Sequence, residues 1–416
     1  MKTTAATLAL TGSAAAQMMA GYVPSSQFLA SNPGGAIPAG VQAPSQQGFS
    51  NATIHPSRGG LAVCVSGLVP VQATAMNMRF NLSLPTNQSQ VTEMFVESVT
   101  SGSMAMQKIM EGTQMINGSY QIGATLCTPA NNTKPSGVQI LTHGIGFDRS
   151  YWDFAPGYSY VDVATQNNYA TFFYDRLGVG MSSKPDAISV VQSFMELEIA
   201  NVLAKNLKNG TYSGLSFQKV VGAGHSFGSV ITEGITAKYP TTLDGAILTG
   251  FSTNSTAMPT FLQALNLAIA SQNAPYRFSS PDLTNGYLVS SSAISTQIGF
   301  FRAPGFDPAI LNLAEATKGT VTLGELLTTT AVVLPASNYT RPVAVVNGDN
   351  DLPFCFGNCS YPTNQAQAAL TMLYQNSNAT GTYLAPTTGH GLNLHYSAVA
   401  AYHYIQDFVN ENVGTS

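Results

Sequence analysis

The strongest constraint on the fold is an alternation of short apolar segments with helix-forming segments, which begins near residue 119. Residues 188–208 show the helical pattern, with apolar side chains recurring about every third or fourth position. The segments predicted to be strands are 121–127, 138–142, 170–174, 217–223, 245–249, 343–347 and 382–385. Strands that alternate with helices predict an α/β fold with a mostly parallel sheet, covered by helices on both faces.

A G-x-S-x-G motif lies at residues 224–228, between an apolar run and a helix-forming run. A sharp strand-to-helix turn of this kind holds a nucleophilic serine in a strained backbone conformation. Gly224 and Gly228 let the strand and the helix approach closely, because they carry no Cβ. The motif therefore predicts Ser226 as a nucleophile.

A glycine-containing turn after the strand 138–142 supplies candidate backbone donors. His143 and Gly144 open this turn, which is predicted to expose the N–H of Ile145. The N–H of Phe227, directly after the nucleophile, is the second predicted donor. Two such donors stabilise the oxyanion that forms when a serine attacks a carbonyl carbon, and one donor contributes roughly 3 kcal/mol.

The acid that orients the base is predicted in the turn after the strand 343–347. Asp351 is preferred, because the Gly-x-x-Asp spacing from Gly348 fits a turn that directs a carboxylate toward the base. Asp349 is the alternative acid and is otherwise interpreted as a turn-forming residue. Residues 252–280 contain no Asp or Glu, so they offer no acid after the preceding strand.

The base is expected to follow the acid in chain order, which leaves three histidines. His390 lies in a loop after a predicted strand and is the preferred base. His395 opens the last helix and is predicted to have a partly buried polar role, while His403 lies within that helix as a packed or surface residue. His225 is adjacent to Ser226 in sequence and is predicted to point elsewhere.

The chain divides into segments of different composition. In order, these are a signal peptide at 1–16, a flexible arm at 17–60, a β-rich extension at 61–118, the first part of the core at 119–253, a helical lid at 254–335 and the second part of the core at 336–416. The arm, which includes His55, is rich in Gly, Pro, Ser and Gln. The lid is predicted where the alternation stops, since insertions after a central strand cover the edge that carries the site.

Several features predict secretion. Lys2, an apolar stretch and small residues before Gln17 are typical of a secretory signal. Cys355 and Cys359 are close enough for a local disulfide, which would leave Cys64 with Cys127, although four cysteines allow other pairings. Ten Asn-x-Ser/Thr sequons support the same prediction, at Asn51, Asn81, Asn87, Asn117, Asn131, Asn209, Asn254, Asn338, Asn358 and Asn378.

Composition excludes other classes of protein. Charged residues make up 9% of the chain and the net charge is −4, so no basic face for nucleic acid is expected. No segment beyond the signal is long and apolar enough to predict an integral membrane span. No group of His, Cys and Asp residues has metal-ligand spacing, and no cofactor is expected.

Together these motifs resemble the α/β-hydrolase superfamily, in the branch that carries a lid. The resemblance covers about residues 119–412 and rests on His143–Gly146, Asp175–Ser182, Gly224–Gly228, Gly348–Asp351 and Gly389–Gly391, in the family's order. The N-terminal part is similar to that of secreted fungal members. The resemblance implies a sheet of about eight strands and acyl transfer without a cofactor.

The resemblance also implies roles for three side chains. Ser226 would attack an ester or lactone carbonyl, His390 would accept its proton, and Asp351 would hold the histidine tautomer. The expected partner is thus a small-molecule ester or lactone of small to medium apolar character. A peptidase or aminopeptidase, a hydroxynitrile-lyase-like enzyme and a non-catalytic binding protein are alternatives on the same fold. The sequence does not specify the oligomeric state.

Overall fold

The computed structural model describes residues 36–414, except for the side chains of residues 106 and 107. The predicted signal peptide and the first part of the predicted arm lie outside the described residues. The strands of the described part are β1 (Ser50–Pro56), β2 (Ala62–Phe80), β3 (Met110–Pro129), β4 (Gly137–Thr142), β5 (Tyr169–Tyr174), β6 (Val220–His225), β7 (Gly245–Thr249), β8 (Ala268–Ile269), β9 (Tyr287–Val289), β10 (Val321–Thr322), β11 (Val343–Gly348) and β12 (Thr380–Ala385).

Nine of these described strands form one sheet in the order β1-β2-β3-β5-β4-β6-β7-β11-β12. The pairs from β5 through β12 are parallel, whereas β1 with β2, β2 with β3, and β3 with β5 are antiparallel. The predicted α/β fold with a mostly parallel sheet is confirmed. Strands β4, β5, β6, β7 and β11 are buried along their whole length, so apolar residues predominate in their sequences.

Helices cover both faces of the sheet. The helices of the described part are α1 (Gln88–Val99), α2 (Ala105–Ile109), α3 (Tyr160–Gln166), α4 (Ser193–Lys208), α5 (Phe227–Lys238), α6 (Met258–Leu265), α7 (Ala270–Asn273), α8 (Ala293–Phe300), α9 (Pro308–Ala316), α10 (Leu323–Thr328), α11 (Leu352–Cys355), α12 (Gln365–Leu373) and α13 (Ala398–Asn412), with short 3-10 helices at Arg149–Trp152 and Leu392–Leu394. Helices α4 and α5 pack together, and α3 packs against α13 on the opposite face.

The predicted β-rich extension belongs to the main sheet instead of preceding it. Strands β2 and β3 pair along their length, from Ala62 opposite Pro129 to Phe80 opposite Met110. The first half of β2 and the second half of β3 are buried, while the far half of β2 alternates between buried and exposed side chains. Helix α4 packs against β2, so this alternating half covers core on one face and meets solvent on the other.

The flexible arm predicted for residues 17–60 is wrong for its last part, because residues 50–56 form β1. His55 is buried, and its Nε2 lies 2.7 Å from the hydroxyl of Ser66. Ser57 is also buried and donates a hydrogen bond to Asp162 of α3. The polar composition suggested a solvated segment, but its polar groups have partners within the fold.

Residues 254–335, hereafter the inserted segment, lie between β7 and β11. The helical piece predicted at 308–316 is α9. The piece predicted at 261–269 overlaps α6 only as far as Leu265, and its last two residues form β8 instead. Unlike the predicted helical structure, the segment also contains a small antiparallel sheet in the order β10-β9-β8. The central strand β9 is buried along its length. In the sequence, a three-residue apolar run does not distinguish such a strand from a turn of helix.

The predicted disulfide pairing is confirmed. Cys64 bonds to Cys127 across the paired strands β2 and β3, and Cys355 bonds to Cys359 within one short loop. Among the described residues, no helix combines the length and the apolar character that crossing a membrane requires.

Candidate active site

Ser226 occupies the turn between β6 and α5, at the carboxyl edge of the parallel strands. Its φ of 55° and ψ of −119° lie in a region that residues other than glycine rarely adopt. Glycines make the turn possible, since a Cβ at Gly224 would lie 2.3 Å from the carbonyl oxygen of Gly228. A Cβ at Gly228 would lie 2.0 Å from the carbonyl oxygen of Thr142, so neither position can carry a side chain without a shift of the backbone.

The structure joins Ser226, His390 and Asp351 in one hydrogen-bonded chain. The Nε2 of His390 lies 2.7 Å from the hydroxyl oxygen of Ser226, and its Nδ1 lies 2.6 Å from Oδ2 of Asp351. His390 and Asp351 are fully buried, and Ser226 is 6% exposed. With Nδ1 donating to the carboxylate, Nε2 is left free to accept the serine proton.

Two loops bring the acid to the base. Asp351 follows β11 and caps α11, because its Oδ1 accepts a hydrogen bond of 3.0 Å from the N–H of Phe354. A Cβ at Gly348 would lie 2.3 Å from the carbonyl oxygen of Gly389, so the glycine permits close packing of the two loops. The remaining carboxylate oxygen, Oδ2, faces His390.

The alternative residues have other partners. Asp349 accepts a hydrogen bond of 3.1 Å from the N–H of Thr388 and so shapes the loop that precedes His390. His395 lies before the last helix and is fully buried, more than the partial burial predicted for it. His403 is exposed on α13.

His395 holds the loop that carries His390. Its Nε2 accepts from the N–H of Gly389 at 3.1 Å and from the N–H of Arg302 at 3.0 Å, and its Nδ1 donates to the carbonyl of Gly391 at 2.9 Å. Burial lowers the pKa of His395 to about 4, although its bond to Gly391 opposes the shift. A neutral ring is required, since Nε2 accepts two bonds.

The predicted oxyanion donors lie beside the nucleophile. A Cβ at Gly144 would lie 2.9 Å from the Cβ of Ser226, so the turn after β4 contacts the serine directly. Ile145 follows this contact and is buried, and Phe227 follows Ser226 at the start of α5. The two backbone N–H groups thus belong to residues that flank Ser226.

His143 fixes this turn through both of its ring nitrogens. Its Nδ1 donates to the carbonyl of Gly144 at 2.9 Å, and its Nε2 accepts from the N–H of Arg176 at 3.0 Å. Burial, followed by the positive charge of Arg176, lowers the pKa of His143 well below its ordinary value. The neutral tautomer therefore satisfies both ring nitrogens at once.

His225 lies closer to the site than predicted. Its ring centre is 4.9 Å from that of His390, so the expectation that it points elsewhere is wrong. The ring stacks on Tyr151 at 4.4 Å, and its Nδ1 lies 3.1 Å from the hydroxyl of Thr249. Burial, followed by the neighbouring His390, lowers the pKa of His225 well below its ordinary value, so it packs as a neutral ring.

Aromatic side chains of the inserted segment cover the site. The ring of Phe300 stacks over His390 at 5.7 Å, and Phe261 meets His390 edge-on at 5.6 Å. Phe300 also contacts Phe147, which lies in the turn after β4. Of the other aromatic residues of the inserted segment, Phe301 and Phe306 pack on His395, Phe278 and Tyr287 lie in a separate apolar cluster, and Tyr276 is exposed.

Sequence patterns did not indicate the buried charges behind the oxyanion turn. Arg176 belongs to the Asp175–Ser182 motif, and its side chain pairs with Glu196 and Glu325. The partners are 20 and 149 residues away, so no local spacing reveals them. Among the described residues, no group of His, Cys, Asp and Glu side chains could hold a metal ion.

A serine on a strand-to-helix elbow, followed in chain order by an acid and a histidine, defines the α/β-hydrolase class of fold and site. The family model for the alpha/beta hydrolase family matches residues 139–402, more than half of the chain. The protein therefore belongs to the alpha/beta hydrolase family. No curated protein matches the chain.

Solved structures with the same fold have low sequence identity to this chain. A thermostable carboxyl esterase from Bacillus coagulans is 17% identical, with 70% of this chain and 94% of that chain covered and a TM-score of 0.48. A soluble variant of monoglyceride lipase from Saccharomyces cerevisiae is 14% identical, with 71% and 93% covered and a TM-score of 0.47. An esterase from Thermogutta terrifontis is 15% identical, with 71% and 95% covered and a TM-score of 0.44.

Proposed function

We propose that the protein is a serine hydrolase that cleaves a carboxylic ester or lactone of a small to medium apolar substrate through an acyl-enzyme intermediate. The observation that carries this proposal is the continuous chain from the Ser226 hydroxyl through His390 to Asp351. Each link has the distance of a strong hydrogen bond, and each side chain is buried, which strengthens the electrostatic interactions between them.

In the first half of the reaction, the hydroxyl oxygen of Ser226 attacks the ester carbonyl carbon and its proton passes to Nε2 of His390. Asp351 stabilises the imidazolium that forms, and the N–H groups of Ile145 and Phe227 hold the oxyanion. The tetrahedral intermediate then collapses. The bond to the alkoxy oxygen breaks, and that oxygen takes the proton from His390 and leaves as an alcohol.

In the second half, His390 takes a proton from water, and the water oxygen attacks the acyl carbon bound to Ser226. The same two N–H groups hold the second oxyanion. Collapse breaks the bond to the serine oxygen, which recovers its proton from His390, and the carboxylic acid leaves. A lactone follows the same steps, except that the alcohol remains joined to the acyl group.

The cover of the site supports an apolar substrate. Phe261 and Phe300 contact the His390 ring directly, and both side chains are buried. A substrate that reaches Ser226 must displace these rings or lie against them. Apolar groups lose the least hydration free energy when they contact such rings. A panel of p-nitrophenyl esters tests this directly if it includes apolar acyl chains of two to twelve carbons and charged or strongly polar acyl groups. A preference for charged or strongly polar acyl groups would contradict it.

The nucleophile is tested by Ser226→Ala, which we expect to lower kcat for p-nitrophenyl esters by about 10⁴-fold or more with the fold intact. The matched control is Ser229→Ala, in the helix α5 that follows Ser226. Ser229 is buried and its hydroxyl donates to the carbonyl of Thr249, with no bond to His390. We expect less than about tenfold loss there. Equal activity of wild type and Ser226→Ala would sink the proposal.

The aminopeptidase alternative needs acidic groups that are free to hold a substrate amine. Of the four acids in the inserted segment, Glu325 pairs with Arg176, Glu315 pairs with Lys318, and Asp307 caps α9. This leaves the exposed Asp282, which lies near the separate apolar cluster around Leu283. Aminoacyl p-nitroanilides, assayed beside the matching esters, separate the two activities, and faster amide cleavage would favour the peptidase.

We also propose that the protein is secreted and glycosylated. Two disulfides in one chain are typical of an oxidising compartment. None of the ten sequon asparagines is buried: Asn254 is half-buried and the other nine are exposed. Expression of the full chain in a secreting eukaryotic host should release it into the medium with a mass that falls on endoglycosidase treatment. Retention in the cytosol at its unmodified mass would contradict this proposal.

A further inference from the structure

Arg176 sits behind the oxyanion turn, in the loop after β5, and is 1% exposed. Its backbone N–H bonds to His143, which in turn bonds to the carbonyl oxygen of Gly144. Its Nη2 lies 3.5 Å from the same carbonyl oxygen. The backbone and the side chain of one residue therefore both act on the Gly144 carbonyl.

This carbonyl belongs to the same peptide group as the N–H of Ile145. Because a trans peptide is planar, the N–H points opposite to the C=O, and fixing the oxygen of Gly144 fixes the direction of the Ile145 N–H. Arg176 thus controls one of the two proposed oxyanion donors without touching the substrate.

The second donor belongs to Phe227, whose ring Arg176 also contacts. The guanidinium carbon lies 4.7 Å from the centre of the Phe227 ring, within the range of a cation–π interaction. Phe227 is 1% exposed and begins α5 directly after Ser226. A single guanidinium group therefore spans the residues that carry both donors.

Two carboxylates hold the guanidinium from different parts of the fold. Glu196 of α4 approaches Nη1 at 2.7 Å, and Glu325 of α10 pairs with the same nitrogen. Glu325 is itself fixed, since its Oε2 accepts from the N–H of Thr322 at 2.7 Å in a capping box. Because Glu325 lies in the inserted segment, this ion pair ties that segment to the oxyanion turn.

The three buried groups carry one more carboxylate than the single positive charge can neutralise. Burial raises the pKa of Glu196 well above its ordinary value, and Glu325 adds to the shift, although Arg176 opposes it. This shift favours the protonated form of Glu196, which lies on the same guanidinium nitrogen as a second carboxylate.

We propose that Arg176 is the positioning residue that aligns both donors of the oxyanion hole, and that Glu325 anchors it to the inserted segment. This inference rests on the proposed serine hydrolase function. Removal of the guanidinium should leave substrate binding in place, because Arg176 lies behind the turn, and should weaken only the stabilisation of the oxyanion.

The direct test is Arg176→Met, compared with Arg176→Lys, in the full chain. A lost oxyanion donor lowers kcat by about 10²- to 10³-fold, so a misaligned pair should lower it by about 10- to 100-fold with KM within about threefold. The rate at which a fluorophosphonate modifies Ser226 should fall by a similar factor, because that reaction also develops charge on an oxygen. The Lys variant keeps the charge but cannot span both residues, so it should recover thermal stability and not kcat.

The anchor is tested by matched glutamate-to-glutamine changes. Glu325→Gln removes the carboxylate that ties Arg176 to the inserted segment, and we expect kcat to fall about tenfold. Glu196→Gln keeps the shape of a carboxyl group whose raised pKa favours its protonated form, so the loss should stay below about threefold. Glu198→Gln, on the same helix as Glu196, removes a surface pair with Lys238 and should leave kcat unchanged.

The outcomes separate the two proposals. If wild type hydrolyses esters and is modified at Ser226, but Arg176→Met keeps its kcat and its rate of modification, the positioning role is overturned and the hydrolase proposal stands. The positioning role is also overturned, and the hydrolase proposal still stands, if Arg176→Met changes KM in place of kcat. The same conclusion follows if Arg176→Lys restores kcat together with thermal stability. If wild type is neither active nor modified at Ser226, both proposals fail.

Discussion

On one side of Ser226 the site consists of side chains, and on the other side it consists of backbone groups. His390 and Asp351 reach the serine through hydrogen bonds of 2.7 and 2.6 Å between side chains from two loops. The proposed donors of Ile145 and Phe227 have no side-chain chemistry, and their alignment depends on what lies behind them. The geometry of the base side is therefore determined by a few side chains, whereas that of the oxyanion side depends on buried packing and charge.

The largest expected effect is on the base side. His390→Ala removes the group that accepts the serine proton, and we expect kcat/KM for p-nitrophenyl esters to fall by about 10⁴- to 10⁶-fold. This loss should exceed that of Arg176→Met by at least about 100-fold. A smaller loss for His390→Ala than for Arg176→Met would reverse the comparison between the two sides.

A somewhat smaller effect is expected for the acid. Asp351→Asn should lower kcat by about 10³- to 10⁴-fold, because the neutral amide neither fixes the productive tautomer nor stabilises the imidazolium. Asp349→Asn is the matched control. Its oxygen can still accept the hydrogen bond from Thr388, so kcat should change by less than about threefold. A larger loss for Asp349→Asn than for Asp351→Asn would reassign the acid.

The base side could largely be predicted from the sequence. The carboxyl ends of parallel strands meet at one edge of the sheet, so motifs after β6, β11 and β12 were expected to lie together. The side chains of Ser226, Asp351 and His390 are adjacent in the structure. The Gly-x-x-Asp spacing in the sequence had favoured Asp351 over Asp349 as the acid. The contact of Arg176 with Glu325 could not be predicted, because 149 residues separate the two and charged residues carry no periodic signal.

In the N-terminal region, composition gave a wrong prediction. Its Gly, Pro, Ser and Gln content predicted a flexible arm, yet residues 50–56 form β1 and the side chain of His55 is buried. Composition reports the average tendency of a segment to remain solvated. It does not report that Ser66 bonds to His55, or that Asp162, 105 residues along the chain, accepts a hydrogen bond from Ser57.

Removal of the disulfide near Asp351 is expected to have a moderate effect on kcat, which can be compared with removal of the other disulfide. Cys355–Cys359 closes a short loop just after Asp351, and the N–H of Cys359 donates to the carbonyl of Asp349 at 2.9 Å. Changing both cysteines to Ser should lower kcat about three- to tenfold through small displacement of Asp351. The expected loss of stability is about 2 kcal/mol, since the closed loop is short.

Cys64–Cys127 is the control for that change, because it links β2 and β3 away from Ser226. The 63-residue separation predicts a larger loss of stability on changing both to Ser, about 4 kcal/mol, with kcat of the folded protein unchanged. Denaturant unfolding and steady-state kinetics measure the two quantities separately. If the distant pair lowers kcat more than Cys355–Cys359 does, the acid loop does not depend on its own disulfide.

The last prediction concerns the pH dependence of the free energy of unfolding. The folded protein keeps His395 neutral down to a pKa of about 4, whereas an unfolded histidine takes up a proton near pH 6.5. Between these values the unfolded state binds more protons, so the free energy of unfolding should fall as the pH drops, by up to about 3 kcal/mol from this residue. His395→Gln should show a shallower slope between pH 6.5 and 4 than wild type. The exposed His403 is the control, and His403→Gln should keep the wild-type slope.

The most direct measurement is covalent modification of the wild-type protein by a fluorophosphonate, followed by mass spectrometry of its peptides. The geometry of Ser226 and His390 predicts one adduct per chain, on the peptide that contains Ser226, and its loss in His390→Ala. An unmodified chain, or an adduct on another serine, would contradict the assignment of Ser226 as the nucleophile.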